Sequence, residues 1–135
     1  MATLHTRYLG ELRTEVTHLA SGASFITDAP LDNQGKGESI SPTDTLCAAF
    51  TSCMFTLMGI AARTHGIDID GIRADTTKHM GTEPRRVVRI EVRIFGFPKV
   101  YTEKEKIILE RAARTCSVAM SVHPDIKLEV SFEFD

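Results

Sequence analysis

The chain has 135 residues, a formal net charge of -2, 42% hydrophobic residues and 25% charged residues. This length and composition are typical of one globular domain, so we expect a single domain over residues 1–135. The near-neutral charge, with Arg and Lys spread along the chain, argues against nucleic-acid binding.

The chain contains three cysteines, Cys47, Cys53 and Cys116. A sparse, odd number of cysteines argues against a secreted disulfide scaffold. The first ten residues show no basic segment followed by an apolar one, so we expect no signal peptide. Both observations predict a cytoplasmic protein with reduced thiols.

The first 27 residues predict short antiparallel strands, because apolar or β-branched residues alternate with polar ones from Leu12 to His18. A second short apolar run covers Ser24 to Thr27. Residues 28–41 contain two glycines and an Asp-Asn pair, which predicts an extended loop.

A long helix is predicted next, over Pro42–His65. Ser41 is a favourable N-cap, Pro42 suits the first helical position, and Asp44 stands three residues after Ser41, as the acid of a capping box does. Gly66 supplies the C-terminal stop. At 1.5 Å per residue the helix is about 36 Å long, close to the diameter of a small domain.

This helix carries no charged residue from Thr45 to Ala62. A helix that is apolar all round is either buried or membrane-spanning. The stretch contains threonines, a serine and a glycine and falls short of the ~20 strongly apolar residues of a membrane span, so we expect no membrane insertion. A small domain covers only one side of such a helix, and we therefore expect a homo-oligomer, most simply a two-fold dimer.

The second half of the chain predicts a hairpin, a helix and a final strand. Residues 67–78 and 88–95 alternate as strands do, with a turn at 81–84. Thr102 and Glu105 form a second capping box for a helix that ends near Thr115. We expect its apolar side to carry Ile107, Ile108, Ala112 and Cys116. Strict alternation over 126–134 predicts the last strand, and this order of elements indicates an α+β fold.

The cysteines allow two interpretations when the residues are considered alone. Cys47 and Cys53 lie about 120° apart around the helix axis and cannot bond to each other. Cys53 shares a stripe with Leu46, Phe50, Leu57 and Ile60, so core packing and redox chemistry are both open. Cys116 precedes a possible further helical turn, where a thiol can have a lowered pKa.

Other site chemistries find no support in the sequence. There is no C-x-x-C pair and no H-E-x-x-H motif, and the five histidines are scattered singly, so we expect no metal. Gly35-Lys36-Gly37 lacks the spacing of a phosphate loop, and no nucleophile elbow is present.

The segment from Ser41 to Cys53, SPTDTLCAAFTSC, resembles the central-helix signature of the OsmC/Ohr family. In that family a proline opens the helix and a cysteine follows eleven residues later, which is the spacing of Pro42 and Cys53. The segment LERAARTCSV, with Cys116, resembles the family's second cysteine region. The resemblance covers nearly the whole chain, because the length and the element order also fit.

The resemblance implies an OsmC-like α+β fold, with antiparallel sheets packed around a long central helix in an intertwined homodimer. It also implies reduction of organic hydroperoxides in oxidative stress defence, without a cofactor, with an external dithiol as reductant. Cys53 would be the peroxidatic residue and Cys116 the resolving one, which together form the catalytic site. A wall of Phe50, Met54, Phe55 and Met58 would suit alkyl or fatty-acid peroxides, or simply form core.

The chain departs from the family pattern at three points. Thr43 stands where a glutamate commonly follows the proline, and Asp44 is adequately explained as a capping residue. Arg7 and Arg13 match an activating arginine by region only, and Ser117 replaces a common proline. Without an adjacent cation, we expect a buried Cys53 to keep a raised pKa. The alternative function is therefore a non-catalytic OsmC-fold dimer that binds a small molecule or lipid or senses redox state.

Overall fold

The computed structural model describes all 135 residues and has an α+β architecture of two three-stranded sheets and three α-helices. The chain divides into two compact units, Met1–Leu46 and Cys47–Asp135. The α+β class predicted from the order of elements is confirmed.

The first unit contains an antiparallel sheet of β1 (Leu4–Gly10), β2 (Arg13–His18) and β3 (Ser24–Asp28), in the order β1-β2-β3. The short strands predicted for the first 27 residues are confirmed. Leu12 is not in a strand, because Glu11 and Leu12 both have positive φ, 52° and 64°, and form the turn between β1 and β2. Two consecutive left-handed residues match the right-handed twist of a hairpin.

The loop that follows β3 is held by a buried carboxylate. The side chain of Asp28 has no exposed surface, and its Oδ2 accepts hydrogen bonds from Arg13 Nη2 and from the Glu38 backbone N–H, each at 3.0 Å. The loop itself contains only a 3-10 turn over Leu31–Asn33. The hydrogen bond from Arg13, followed by that from Glu38, keeps the pKa of Asp28 below its ordinary value.

Helix α1 spans Pro42–His65, as predicted from its capping signals. The Asp44 backbone N–H donates to Ser41 Oγ at 3.0 Å, and the Ser41 backbone N–H donates to Asp44 Oδ2 at 3.0 Å. This reciprocal pair is the predicted capping box. Asp44 therefore has a structural role at the start of α1.

Helix α1 buries one face and leaves another uncovered. The buried residues follow helical spacing and are Cys47, Phe50, Met54, Met58 and Ala62. The helical stripe predicted to contain Cys53 and Ile60 does not coincide with this buried face, because Ile60 is 57% exposed. The exposed residues between them carry no charge and include Ala48, Ala49, Ser52, Thr56 and Ile60.

By length and composition alone α1 could cross a membrane, and 28% of its most apolar window is buried. One such helix is weak support for a membrane span, because the core helix of a soluble protein meets the same criterion.

The second unit contains β4 (Arg73–Gly81), β5 (Arg86–Phe95) and β6 (Lys127–Phe132), in the order β4-β5-β6. Strands β4 and β5 form the predicted antiparallel hairpin, but β4 begins at Arg73 rather than at residue 67. Residues 67–72 form an irregular segment in which Ile67 and Ile69 are buried. The Tyr101 hydroxyl donates to the Asp68 carbonyl oxygen at 2.6 Å and stabilises this segment.

The expectation that both sheets are antiparallel is wrong for one pair of strands. Strand β6 runs parallel to β5, with Arg89 opposite Lys127 and Ile94 opposite Phe132. Two helices, α2 (Glu103–Ala113) and α3 (Ser117–Ser121), lie between these strands in the chain. A crossover of this length returns the chain to the same end of the sheet, so the strands run in one direction.

Helix α2 begins as predicted but presents a different face. Its capping box is complete: Glu105 N–H donates to Thr102 Oγ1 at 3.1 Å, and Thr102 N–H donates to Glu105 Oε1 at 2.9 Å. The buried residues of α2 are Leu109 and Ala113, whereas Ile107 is 46% exposed. The predicted apolar side of α2 is therefore wrong for Ile107, and the predicted residue Cys116 is buried but lies beyond the end of α2.

Candidate functional site

Two of the three cysteines meet where α1 faces the start of α3. Cys53 lies on α1 and is partly exposed, and Cys116 is the fully buried N-cap residue of α3. Ser117 links the two positions, because it directly follows Cys116 and its Oγ lies 3.6 Å from the Cys53 Sγ. Both thiols are free. The structure thus brings together the two predicted site residues, which are far apart in the sequence.

Cys116 is held between α3 and α1. Its sulfur accepts a hydrogen bond from the Ala119 backbone N–H at 3.4 Å, as an N-cap side chain does. Its sulfur lies 3.8 Å from the carbonyl oxygen of Phe50, an acceptor that the thiol can use when it does not donate to Cys53. These contacts place Cys116 beside the helical turn that leads to Cys53.

The surroundings of Cys53 favour its thiolate. Hydrogen bonds from the Val118 backbone N–H, the Cys116 thiol and the Ser117 hydroxyl lower the pKa of Cys53 to about 7. The Ser117 Oγ lies 3.6 Å from the Cys53 Sγ. The expectation of a raised Cys53 pKa is therefore wrong, because Cys53 is not fully buried and α3 supplies donors where the sequence indicated no cation.

The surroundings of Cys116 have the opposite effect. Burial is the main cause that raises the pKa of Cys116, and its hydrogen bond to Cys53 adds to it. The lowered pKa expected for Cys116 at a helix start is thus wrong, because loss of solvent outweighs the hydrogen bond from Ala119. At neutral pH the pair can hold one thiolate, on Cys53, next to one protonated thiol, on Cys116.

The third cysteine differs in its environment. Cys47 is on the buried face of α1 and is 3% exposed. Burial of this kind is typical of a cysteine that packs as a small hydrophobic residue, which is the role predicted for Cys47.

A cavity of about 280 Å³ lies close to the thiols: its lining includes Met54, which follows Cys53, and Phe50, whose carbonyl oxygen is near Cys116, but neither cysteine. Its lining comes from α1, the α2–α3 region and β6, and consists of Phe50, Met54, Ala113, Arg114, Ala119, Leu128, Val130 and Phe132. Phe50 and Met54 belong to the predicted apolar wall, whereas Met58 is fully buried core. Arg114 is the one charged residue of this lining, and the sequence reasoning did not select it.

The predicted arginines and acids occupy structural positions in the first unit. Arg13 is committed to Asp28 at 3.0 Å and to Glu38 at 3.7 Å. Arg7 lies in β1 opposite Glu15. Thr43 and Asp44 lie in the first turn of α1.

Ser117 and Val118 are the site residues that sequence reasoning missed. The sequence pattern marks Ser117 only as a departure from a family proline, whereas in the structure its hydroxyl contacts Cys53. The available signal was its position directly after Cys116, at the start of a possible helical turn. No group of three or more His, Cys, Asp or Glu side chains is arranged to hold a metal ion.

The chain thus combines an α+β fold with a partly exposed thiol on its long helix and a second, buried thiol at a nearby helix start. The family model described as OsmC-like protein matches residues 35–131. This chain is a member of the OsmC-like family, and the resemblance seen in the sequence is confirmed.

Solved structures with the same fold include one with substantial sequence identity. A Psychrobacter arcticus protein, described as an osmotic stress induced and detoxification response protein, is 47% identical with a TM-score of 0.94, covering 98% of this chain and 96% of that chain. A Legionella pneumophila organic hydroperoxide resistance protein OsmC is 11% identical with a TM-score of 0.72, covering 98% of each chain.

An organic hydroperoxide resistance protein from Elizabethkingia anophelis is 13% identical with a TM-score of 0.71, covering 100% of this chain and 98% of that chain. At these low identities the last two likenesses concern the fold alone. No protein of curated function matches the chain.

Proposed function

We propose that this protein reduces organic hydroperoxides through a thiol–disulfide cycle of Cys53 and Cys116, and that an external dithiol restores the pair. The observation that carries the proposal is the placement of Cys53 within 3.6 Å of Ser117, the residue that follows Cys116. This pairs a partly exposed thiol with a pKa of about 7 with a buried thiol whose pKa is raised. The organic hydroperoxide resistance proteins that share the fold support the choice of substrate.

The first step is attack of the Cys53 thiolate on the O–O bond of the hydroperoxide. The S–O bond forms as the O–O bond breaks, so sulfur is oxidised by two electrons to the sulfenic acid. The alkoxide that leaves takes up a proton and departs as the alcohol. A pKa near 7 suits this step, because about half of the Cys53 thiols are ionised at neutral pH.

The second step is condensation of the Cys116 thiol with the Cys53 sulfenic acid. A Cys53–Cys116 disulfide forms, and the sulfenic oxygen leaves as water with the thiol proton. An external dithiol then attacks the disulfide and returns both cysteines to thiols, while it is itself oxidised to a disulfide. One hydroperoxide and one dithiol thus give one alcohol, one water and one disulfide.

The cavity lined by Phe50, Met54 and Arg114 supports an organic rather than an inorganic peroxide. Seven of its eight lining residues have apolar side chains, which suit an alkyl chain, and the eighth is Arg114. We therefore propose hydroperoxides with an alkyl or acyl chain as substrates.

We also propose that the protein acts as a homodimer in the cytoplasm. The uncharged exposed face of α1, which includes Ala49, Thr56 and Ile60, supports a second copy as its partner. Three free cysteines support a reducing compartment.

Turnover of cumene hydroperoxide with dihydrolipoamide tests the proposed cycle. Wild type and a Cys47→Ala control are expected to turn over, whereas Cys53→Ser is expected to be inactive. Cys116→Ser is expected to consume one equivalent of peroxide and then stall as a sulfenic acid that dimedone traps. Turnover that survives Cys53→Ser would refute the proposal.

Mass spectrometry after one equivalent of peroxide distinguishes the proposed cycle from a protein that only binds a small molecule or lipid. A Cys53–Cys116 disulfide that forms within seconds and disappears with dithiol supports the cycle. Unmodified thiols after this treatment support a protein that only binds its ligand.

A further inference from the structure

We propose that the Ser117 hydroxyl is a side-chain donor that stabilises the Cys53 thiolate, in a site where no charged side chain does so. The inference rests on the proposed function only in taking Cys53 as the reactive thiol. It assigns to Ser117 a direct part in the reaction, because the hydroxyl contacts the reacting sulfur.

The position of the hydroxyl is set by the same turn that holds Cys116. Ser117 is the first residue of α3, directly after the N-cap Cys116. Its carbonyl oxygen accepts a hydrogen bond from Ser121 Oγ at 2.8 Å, one turn later. Its own Oγ lies 3.6 Å from the Cys53 Sγ on α1, within hydrogen-bonding range for sulfur.

A neutral donor is enough to favour the ionised form of a thiol. A hydrogen bond donated to a charged acceptor is stronger than one donated to a neutral acceptor, so the Ser117 hydroxyl favours the thiolate over the thiol. None of the groups that lower the pKa of Cys53 carries a charge: they are backbone N–H groups and the side chains of Cys116 and Ser117.

Ser117 is also the side-chain donor that the cycle does not consume. When Cys116 attacks the sulfenic acid, its thiol proton leaves and its sulfur becomes part of the disulfide. The Ser117 hydroxyl keeps its proton through both steps. It is therefore available to the Cys53 thiolate each time the dithiol releases it.

The test is the pH dependence of alkylation at Cys53, measured peptide by peptide with iodoacetamide and no peroxide present. Ser117→Ala is expected to raise the midpoint by about 0.5–1 pH unit, which lowers the thiolate fraction at pH 7 about two- to fivefold. Ser117→Thr keeps a hydroxyl and is expected to restore the wild-type midpoint. Thr115→Ala is the matched control, because the Thr115 hydroxyl donates to the Ala112 carbonyl oxygen at 2.7 Å rather than to Cys53 or Ser117.

A midpoint for Ser117→Ala within about 0.2 unit of wild type would overturn the proposal. An equal shift in Thr115→Ala, or no restoration by Ser117→Thr, would also overturn it, because the effect would then not come from the Ser117 hydroxyl. The outcome is separate from that of the hydroperoxide assay. A shifted midpoint in a protein that turns over no hydroperoxide would overturn the proposed function and leave the role of Ser117 standing.

Discussion

The Cys116 sulfur lies 3.8 Å from the carbonyl oxygen of Phe50, so the start of α3 contacts the turn of α1 that precedes Cys53. Phe50 is one helical turn before Cys53, so this contact places Cys116 against the backbone of α1 close to Cys53. Cys116 is fully buried, which raises the pKa of its thiol, while Cys53 is partly exposed. This asymmetry separates an attacking thiol from a resolving one.

The asymmetry predicts that one cysteine dominates alkylation at neutral pH. Because a lowered pKa means that thiolate accumulates at lower pH, the rate at Cys53 is expected to rise with pH and to reach half its plateau near pH 7. Cys116, which has a raised pKa, and buried Cys47 are expected to react far more slowly. Peptide-resolved mass spectrometry measures all three rates, with free cysteine as the reference thiol. Equal rates at Cys53 and Cys116 would contradict the assigned environments.

The helix boundaries could be predicted because their signals are local. The reciprocal bonds of Ser41 with Asp44, and of Thr102 with Glu105, involve residues only three apart, and a sequence pattern contains all of that information. The same reasoning failed for the apolar face of α2, where Ile107 is exposed and Leu109 is buried. Which side of a short helix faces the core depends on what it packs against, and the adjacent pair Ile107-Ile108 does not fix that phase.

The parallel pairing of β6 with β5 and the chemistry of Cys53 are not local. The strand direction depends on where the α2–α3 crossover returns the chain. The donors to Cys53 lie on α3, 64 residues away for Ser117, so no spacing around Cys53 reveals them. The family spacing indicated which two cysteines to consider, but not that α3 rather than an arginine would supply the stabilising groups.

Met58 is expected to be a major contributor to the stability of the second unit. Its side chain has no exposed surface, so Met58→Ala removes buried apolar atoms and leaves a cavity that costs about 2–5 kcal/mol. Met120→Ala is the matched control, because Met120 is 82% exposed and its truncation is expected to cost less than about 0.5 kcal/mol. Urea unfolding followed by circular dichroism measures both. Similar losses in the two variants would contradict the assigned core.

Asp28 is expected to make the first unit sensitive to acid. Its pKa is lowered by Arg13 and Glu38, so the ionised form stabilises the native state fully above the ordinary pKa of about 4. That contribution is lost as the pH falls through the lowered pKa. Asp28→Asn is therefore expected to be less stable than wild type at pH 7, with a difference that shrinks below pH 4.

The control for Asp28 is Asp75→Asn, which breaks an exposed pair with Arg93 at 2.9 Å. Exposed pairs contribute little to stability, so this variant is expected to unfold close to wild type at pH 7. Chemical unfolding at pH 7, 5 and 3 supplies the comparison. A constant difference between Asp28→Asn and wild type across this range would contradict the assigned linkage.

The proposed homodimer is expected to fail when a charge is placed on the exposed face of α1. Ile60 is 57% exposed, and Ile60→Lys would bury an unpaired ammonium group if a second copy covers this face. Sedimentation velocity is expected to show a dimer for wild type and a monomer for this variant at micromolar concentration. Ile107→Lys is the control, because Ile107 is similarly exposed, at 46%, but lies on α2. A wild-type monomer would contradict the proposed homodimer. A dimer that tolerates Ile60→Lys as well as Ile107→Lys would mean that the dimer interface does not include this face of α1. Co-sedimentation of wild type with lipid vesicles would instead assign the apolar face of α1 to a bilayer.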